Sequence, residues 1–192
     1  MTYQQATYEF SEALVNLYHQ AYEANERLGI HFKAGIMTQS ELEKALQTTP
    51  TFVKVLDKQL VSSVSVRLLW SDNPSPFFLP HLGWVATNPH FQGQGHAKSL
   101  ISEIIDNYIL KELKAPAVTL GTALKHPWLI DAYEKKGFRY LGEKSLFSDH
   151  KTVYLIKTFN QEALLDVKDE ALQWHLLERR QIMLSLLKMG KF

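Results

Sequence analysis

The sequence predicts an α/β domain built on a mixed, mostly antiparallel sheet, and three changes of pattern carry that reading. The chain opens with apolar residues at steps of three and four, which is the period of an amphipathic helix. Between Thr51 and Trp70 the period falls to two. From Thr87 onward, strand-like runs alternate with helix-like runs before two more strands close the order.

Taken in order, Leu14, Val15, Leu17, Tyr18, Ala21 and Tyr22 predict a helix from Ser11 to Asn25. A shorter helix is expected from Ser40 to Gln47, capped by Thr38 or Ser40 and stopped before Pro50. The glycine-broken stretch from Arg27 to Gly35 reads as a loop between them. Strands at Thr51 to Leu56 and Leu60 to Trp70 flank Asp57, Lys58 and Gln59, so an antiparallel hairpin is expected. Ser71 to Pro76 is a loop by its prolines and small polar residues, and a third strand ends near Thr87.

A helix is expected to about Leu113, then a short buried strand from Ala117 to Gly121 and a helix from about Pro127 to Lys136. Gly137 stands where a helix C′ residue takes the left-handed conformation that only glycine adopts cheaply. Strands from Phe138 to Leu146 and Thr152 to Phe159 are joined across Ser148, Asp149 and His150. From Asn160 to Gly190, Leu165, Leu172, Leu176, Met183 and Leu187 recur at helical steps and predict one or two appended amphipathic helices.

With 192 residues, 45% of them apolar, the chain can form one domain that buries about 70% of its unfolded surface. The 21 Lys and Arg against 20 Asp and Glu give a net charge of +1, too little excess to neutralise a phosphate backbone, so nucleic acid is not expected as a partner. The pair Arg179 and Arg180 reads as a solvated helix face. No cysteine is present, which removes disulfides, cysteine zinc sites and a thiol nucleophile, and no metal is expected. Neither a signal-like amino terminus nor a long apolar window appears, so no membrane association and a cytoplasmic location are expected.

The chemistry concentrates in residues 88 to 100, NPHFQGQGHAKSL, between a strand and a helix. A glycine turn before a helix leaves several N–H groups unpaired and pointing the same way, with the positive end of the helix dipole behind them. Such a turn binds phosphates, and small residues there let the ligand reach the backbone. The P-loop spacing fails, and the dinucleotide spacing would need glycine where Lys98 stands.

What fits is Gln92-x-x-Gly95-x-Ala97 preceded by Pro89, which resembles the coenzyme A loop of the GNAT acetyltransferase superfamily. A second stretch, from Tyr133 through Gly137 to Phe138, resembles that superfamily's Y-x-K-x-G-F signature, and His126-Pro127 stands where members often carry Asn-Pro. The resemblance spans roughly Thr51 to Phe159. It implies a sheet splayed between two strands, an acetyltransferase domain over residues 1–159, and a C-terminal helical extension over 160–192.

The resemblance further implies acetyl-CoA as cosubstrate, with the pantetheine arm lying along Val85, Ala86 and Thr87. Amides of Gln92, Gly93, Gln94, Gly95, His96, Ala97 and Lys98 would hold the pyrophosphate, and the side chains of Gln94 and His96 are expected to be solvated. Acetyl transfer to an amine passes through a tetrahedral intermediate and expels a thiolate, so a proton donor near the sulfur helps, and Tyr133 is expected to be that acid. His126 replaces an amide by an imidazole, whose ring N–H could still donate to pantetheine.

For the base, His81, Glu23, His31 and His126 stand as candidates. The acceptor is expected to be a primary amine of a small molecule or peptide, walled by residues 27–35, 71–76 and 148–151. Trp70, Phe77, Phe78 and Trp128 would line it, and Glu23, Glu26 and Asp72 would receive a cationic amine. The alternative is a non-catalytic acetyl-CoA sensor or interaction module. For the carboxy-terminal leucine stripe, packing on the same chain and a homodimer interface are the two readings.

Overall fold

The computed structural model describes residues 3–145 and 149–178. Seven strands form one sheet: β1 (Tyr3–Gln5), β2 (Thr51–Leu56), β3 (Gln59–Arg67), β4 (His81–Thr87), β5 (Ala117–Ala123), β6 (Arg139–Lys144) and β7 (Thr152–Thr158). Their spatial order is β1-β2-β3-β4-β5-β7-β6, and every pairing is antiparallel except β4 with β5.

The helices match the apolar periodicity closely. Helix α1 covers Ser11–Glu26 and α2 covers Gln39–Leu46, the latter started by a capping box in which Thr38 and Glu41 satisfy one another's backbone N–H groups. Helix α3 runs over His96–Ile104 and continues as a wider π-helical segment to Glu112. Helix α4 covers Pro127–Glu134, and α5 covers Gln161–Leu165. A last helix, α6, starts at residue 170 and reaches the end of the described chain. Gly137 closes α4 at φ +87, with the Phe138 N–H donating to the Tyr133 carbonyl at 3.2 Å and the Gly137 N–H to that of Glu134 at 2.9 Å.

Strand alternation sorts the side chains onto two faces. Val64, Val66, Leu82 and Leu120 pack with Leu100, Ile101 and Ile104 of α3 on one face. Val53 and Ala86 pack with Leu14 and Leu17 of α1 on the other. A third cluster joins Tyr154 and Ile156 to Phe77, Leu164 and Leu172, so α5 and α6 are seated against the sheet, and the His175 ring lies directly on Gly142.

Several expectations are corrected. The second strand of the hairpin ends at Arg67 instead of Trp70, because the chain turns where the Ser71 hydroxyl accepts the Leu68 N–H, and Trp70 is 67% exposed. The sequence pattern misses β1, which is three residues long and gains its order by pairing with the edge of β2. Within the carboxy-terminal stripe, Leu172 is fully buried and Leu176 packs beside it, whereas Leu165 faces solvent. Leu172 and Leu176 thus pack on their own chain. Leu146, Ser148, Arg179, Arg180, Met183 and Leu187 lie outside the described residues. Among those described, no helix is long and apolar enough to cross a membrane.

Candidate active site

The one parallel pairing is short. His81 faces Thr119 and Leu82 faces Leu120, after which β4 and β5 separate. Beyond that point β4 also breaks step with β3: Ser65 pairs with Gly83 and Ser63 with Ala86, so Trp84 and Val85 together oppose Val64. Trp84 takes φ +43 in this bulge. The extra residue turns Trp84 onto the α1 face, 6.0 Å from the Tyr18 ring, and turns Val85 toward the α3 face.

A cavity of about 660 Å³ lies at the gap and is lined by residues from both faces of the sheet. Thr87, Gln92, Leu129 and Tyr133 line it on the α3 and α4 side. Tyr22, Phe32, Arg67, His81, Gly121 and Tyr154 line it on the α1 side. At about 3.3 Å per residue, β4 extends the lining by roughly 20 Å from His81 to Thr87.

At the Thr87 end stands the glycine turn. Gly93 and Gly95 take φ +77 and +79, and a Cβ at either would meet no atom within 4 Å. The turn therefore needs glycine for its backbone and leaves the adjacent space open. Gly95 caps α3 without any side-chain bond, and among the described residues no protein group accepts the N–H of residues 93 to 98. These donors and the helix dipole suit a diphosphate, so the residues present fit the phosphate end of a coenzyme. Gln94 is solvated as expected, but His96 is buried, its ring 5.9 Å from Phe91 and its Nε2 3.3 Å from the Gln94 side-chain oxygen. Packing claims that imidazole, leaving only its backbone N–H for a ligand.

Just past the end of α4, Lys136 feels burial first and then the charges of Lys98 and Lys157, which together bring its ammonium down to about 8. The three lysines come from two helix ends and β7, so no contiguous pattern in the sequence announces their grouping, which favours an anion nearby.

In the middle of the cavity, Tyr133 stands half-buried with its ring 5.9 Å from Phe138. Burial alone pushes its hydroxyl up to about 12, so it keeps its proton at neutral pH. His126 is the residue just before α4, is 3% exposed, and its ring lies tilted 5.0 Å from Trp128 and 6.3 Å from Phe32. Its Nδ1 has no protein partner, and burial followed by the nearby His150 lowers its pKa. The residue lines the cavity, but this nitrogen is itself sealed from the open space.

The four base candidates separate clearly. Glu23 is exposed and does not line the cavity, and His31 is an exposed ring held by Asp149 at 2.8 Å. His81 and His126 do line it. Burial and then Arg67 push His81 down to about 3, so it is neutral at physiological pH. Its Nδ1 is 2.9 Å from the Thr119 hydroxyl.

The acceptor wall also differs from expectation. Trp128 lines the cavity, but Trp70 and Phe78 point to solvent, and Phe77 is buried against Tyr154 at 5.0 Å. Glu26 is exposed away from the cavity, and Asp72 pairs with Lys44 at 3.7 Å on the surface. No Asp or Glu is among the described residues that line the space. No group of three or more His, Asp or Glu among the described residues could hold a metal.

Comparison with known proteins agrees with this geometry. The Acetyltransferase (GNAT) family profile matches residues 12–138. The S-(2-succino)cysteine N-acetyltransferase of Bacillus subtilis is 33% identical over 160 residues, covering 83% of this chain and 97% of that protein. The S-alkylcysteine N-acetyltransferase of the same organism is 30% identical over 145 residues, 75% of this chain and 82% of that one. Among solved structures, a spermidine N-acetyltransferase chimera from Vibrio cholerae superposes with TM-score 0.63 at 19% identity, covering 86% of this chain and 98% of that one. The PaiA N-acetyltransferase of Thermoplasma acidophilum in complex with coenzyme A gives 0.62 at 13% identity, covering 83% and 100%.

Proposed function

The chain belongs to the GNAT acetyltransferase family and is an N-acetyltransferase; on that premise, we propose that it moves acetyl directly from acetyl-CoA onto the primary amine of a small S-substituted cysteine. The observation that carries this reading is the cavity lined from both faces of the sheet, with the glycine turn of residues 93 to 98 at one end and a protonated Tyr133 in its lining. The acceptor class follows the activities named for the two Bacillus relatives.

Bound acetyl-CoA supplies a thioester carbonyl: the amine nitrogen bonds to its carbon, the carbon–sulfur bond breaks, and one proton passes from nitrogen to sulfur. In our reading Val85, Ala86 and Thr87 present their backbone to the pantetheine arm, and the bulge at Trp84 and Val85 leaves β4 out of register with β3 where the carbonyl would lie. Tyr22 donates its hydroxyl to the Val85 carbonyl at 3.2 Å and fixes the bulge from the acceptor side. The His126 ring walls the same stretch of the cavity.

Tyr133 holds a hydrogen bond toward the leaving sulfur. With a pKa near 12 against about 8.5 for a simple thiol, complete proton loss from the phenol is uphill. A shared proton is therefore its main contribution, and any phenolate formed would promptly regain the proton shed by nitrogen. The amine needs no strong base. A cavity lined by Arg67 and Lys33 and by no carboxylate among the described residues disfavours the ammonium form, so the amine enters neutral and its proton leaves to water, with neutral His81 beside it.

The test is to incubate the protein with acetyl-CoA and S-alkylcysteines, following free thiol and the mass of the amine product. Stoichiometric thiol release with N-acetylated product supports the transferase reading. Coenzyme binding without turnover on any amine would favour the sensor.

A further inference from the structure

Arg67 lies at the closed end of the gap, on the α1 face. Its Nε donates to the Asn73 carbonyl at 2.9 Å, and Nη2 donates to the Asn73 side-chain oxygen at 3.0 Å and the Pro74 carbonyl at 2.6 Å. Every acceptor is neutral. These bonds aim the guanidinium without neutralising it, and no protein group accepts from Nη1 among the described residues. Lys33, the other charged residue lining the cavity, already has Glu41 at 3.5 Å.

A half-buried arginine without a carboxylate is unusual, because a desolvated cation is costly unless paired. Its surroundings fit an incoming anion. Its charge is close enough to act on both His81 and Tyr154, whose rings lie 5.9 Å apart, so the three share one corner. His81 cannot supply the missing negative charge, since an imidazole is neutral or cationic and this one is held neutral. Gly83 and Gly121 form the floor: a Cβ at Gly83 would come within 3.7 Å of the Arg67 side chain, and one at Gly121 within 3.7 Å of His81. Side chains there would fill the space between the guanidinium and the gap.

We infer that Arg67, with the Tyr154 hydroxyl beside it, is the receptor for a carboxylate of the acceptor, so that the enzyme selects amines carrying a negative charge and rejects polyamines. The inference rests on the transferase reading, and it assigns a specificity residue to that site. The planar fork of arginine matches a carboxylate in two-point contact, and the same charge repels a polycation from the cavity. Likeness of fold to spermidine acetyltransferases therefore does not extend to their acceptor.

The experiment compares acceptors and variants together. Wild-type protein, Arg67→Gln and Arg67→Lys are assayed with S-(2-succino)cysteine, S-methylcysteine, 2-(methylthio)ethylamine, which is S-methylcysteine without its carboxylate, and spermidine. The wild type should prefer one carboxylate-bearing acceptor over 2-(methylthio)ethylamine by roughly 100-fold in kcat/KM, with spermidine the poorest. In Arg67→Gln that preference should collapse to within about threefold, and Arg67→Lys should restore part of it.

Because Arg67 also holds the loop at Asn73 and Pro74, the decisive readout is the ratio between acceptors, which loss of folded protein does not change. Dependence of S-methylcysteine on Arg67 places the α-carboxylate there, and dependence of the succinyl compound alone places a side-chain carboxylate there. A preference unchanged in Arg67→Gln, or efficient acetylation of spermidine by the wild type, overturns the inference while leaving the transferase reading intact. Should no amine be acetylated, that reading fails, and binding of S-(2-succino)cysteine and S-methylcysteine to the coenzyme-loaded protein decides: loss in Arg67→Gln supports the receptor, and no loss overturns it.

Discussion

In the proposed reading, the backbone of residues 93 to 98 recognises the coenzyme at one end of the cavity, and side chains of β3, β4, β7 and a loop recognise the acceptor at the other. A backbone cradle needs only glycines at positive φ and the start of a helix, so it tolerates many neighbouring side chains. The acceptor corner depends on the particular chemistry of Arg67, His81 and Tyr154. One end is shared across a family with a common coenzyme, and the other is free to vary with the substrate.

Substitutions can pull the two ends apart. The largest effect is expected where they meet: Tyr133→Phe should lower kcat by roughly 100-fold or more while coenzyme affinity stays within about twofold, checked by steady-state kinetics beside calorimetry. Equal loss in both would mean that the ring only packs α4 onto Phe138. Next, Gly95→Val forces a β-branched residue to φ +79, a strain of about 1–3 kcal/mol, and places a side chain in the open space of the cradle. Coenzyme affinity should fall at least about tenfold, while the ratio between acceptors is unchanged.

The acid side of the stability profile sharpens the contrast. His81 is held neutral down to about 3, whereas in the unfolded chain it protonates near 6.5. The unfolded state therefore binds more protons as pH falls below about 6.5, and stability declines by up to about 1.4 kcal/mol per pH unit until the folded pKa is reached. Thermal unfolding between pH 7 and pH 4 should show this slope in the wild type and a shallower one in His81→Asn. The smallest effect belongs to Lys136→Ala, which should weaken coenzyme binding by about two- to threefold and reduce its sensitivity to salt, because this partly solvated cation works alongside Lys98 and Lys157.

The same contrast explains what was readable in the sequence. Gln92, Gly95 and Ala97 are neighbours in the chain, and so are Tyr133, Gly137 and Phe138, so contiguous patterns expose them. Strand and helix periods likewise located β2 to β7 and α1 to α4, because each element buries one regular face. Arg67 gave no such signal. It ends a strand whose pattern ran on to Trp70, and its partners come from 73–74, 81 and 154. Glu23, Glu26 and Asp72 were suited to a cationic amine by their charge, but each is exposed and none lines the cavity. His96 shows the same limit, since a histidine in a glycine-rich turn gives no sign in sequence that Phe91 will cover it.

The most direct test of the whole account is a crystal structure of the protein with coenzyme A and an S-substituted cysteine bound together. The diphosphate should lie within about 3.2 Å of amides in residues 93 to 98. The sulfur should stand beside the Tyr133 hydroxyl and an acceptor carboxylate on the Arg67 guanidinium. A coenzyme seated away from the glycine turn, or an acceptor whose carboxylate faces solvent while Arg67 contacts only protein, would contradict it.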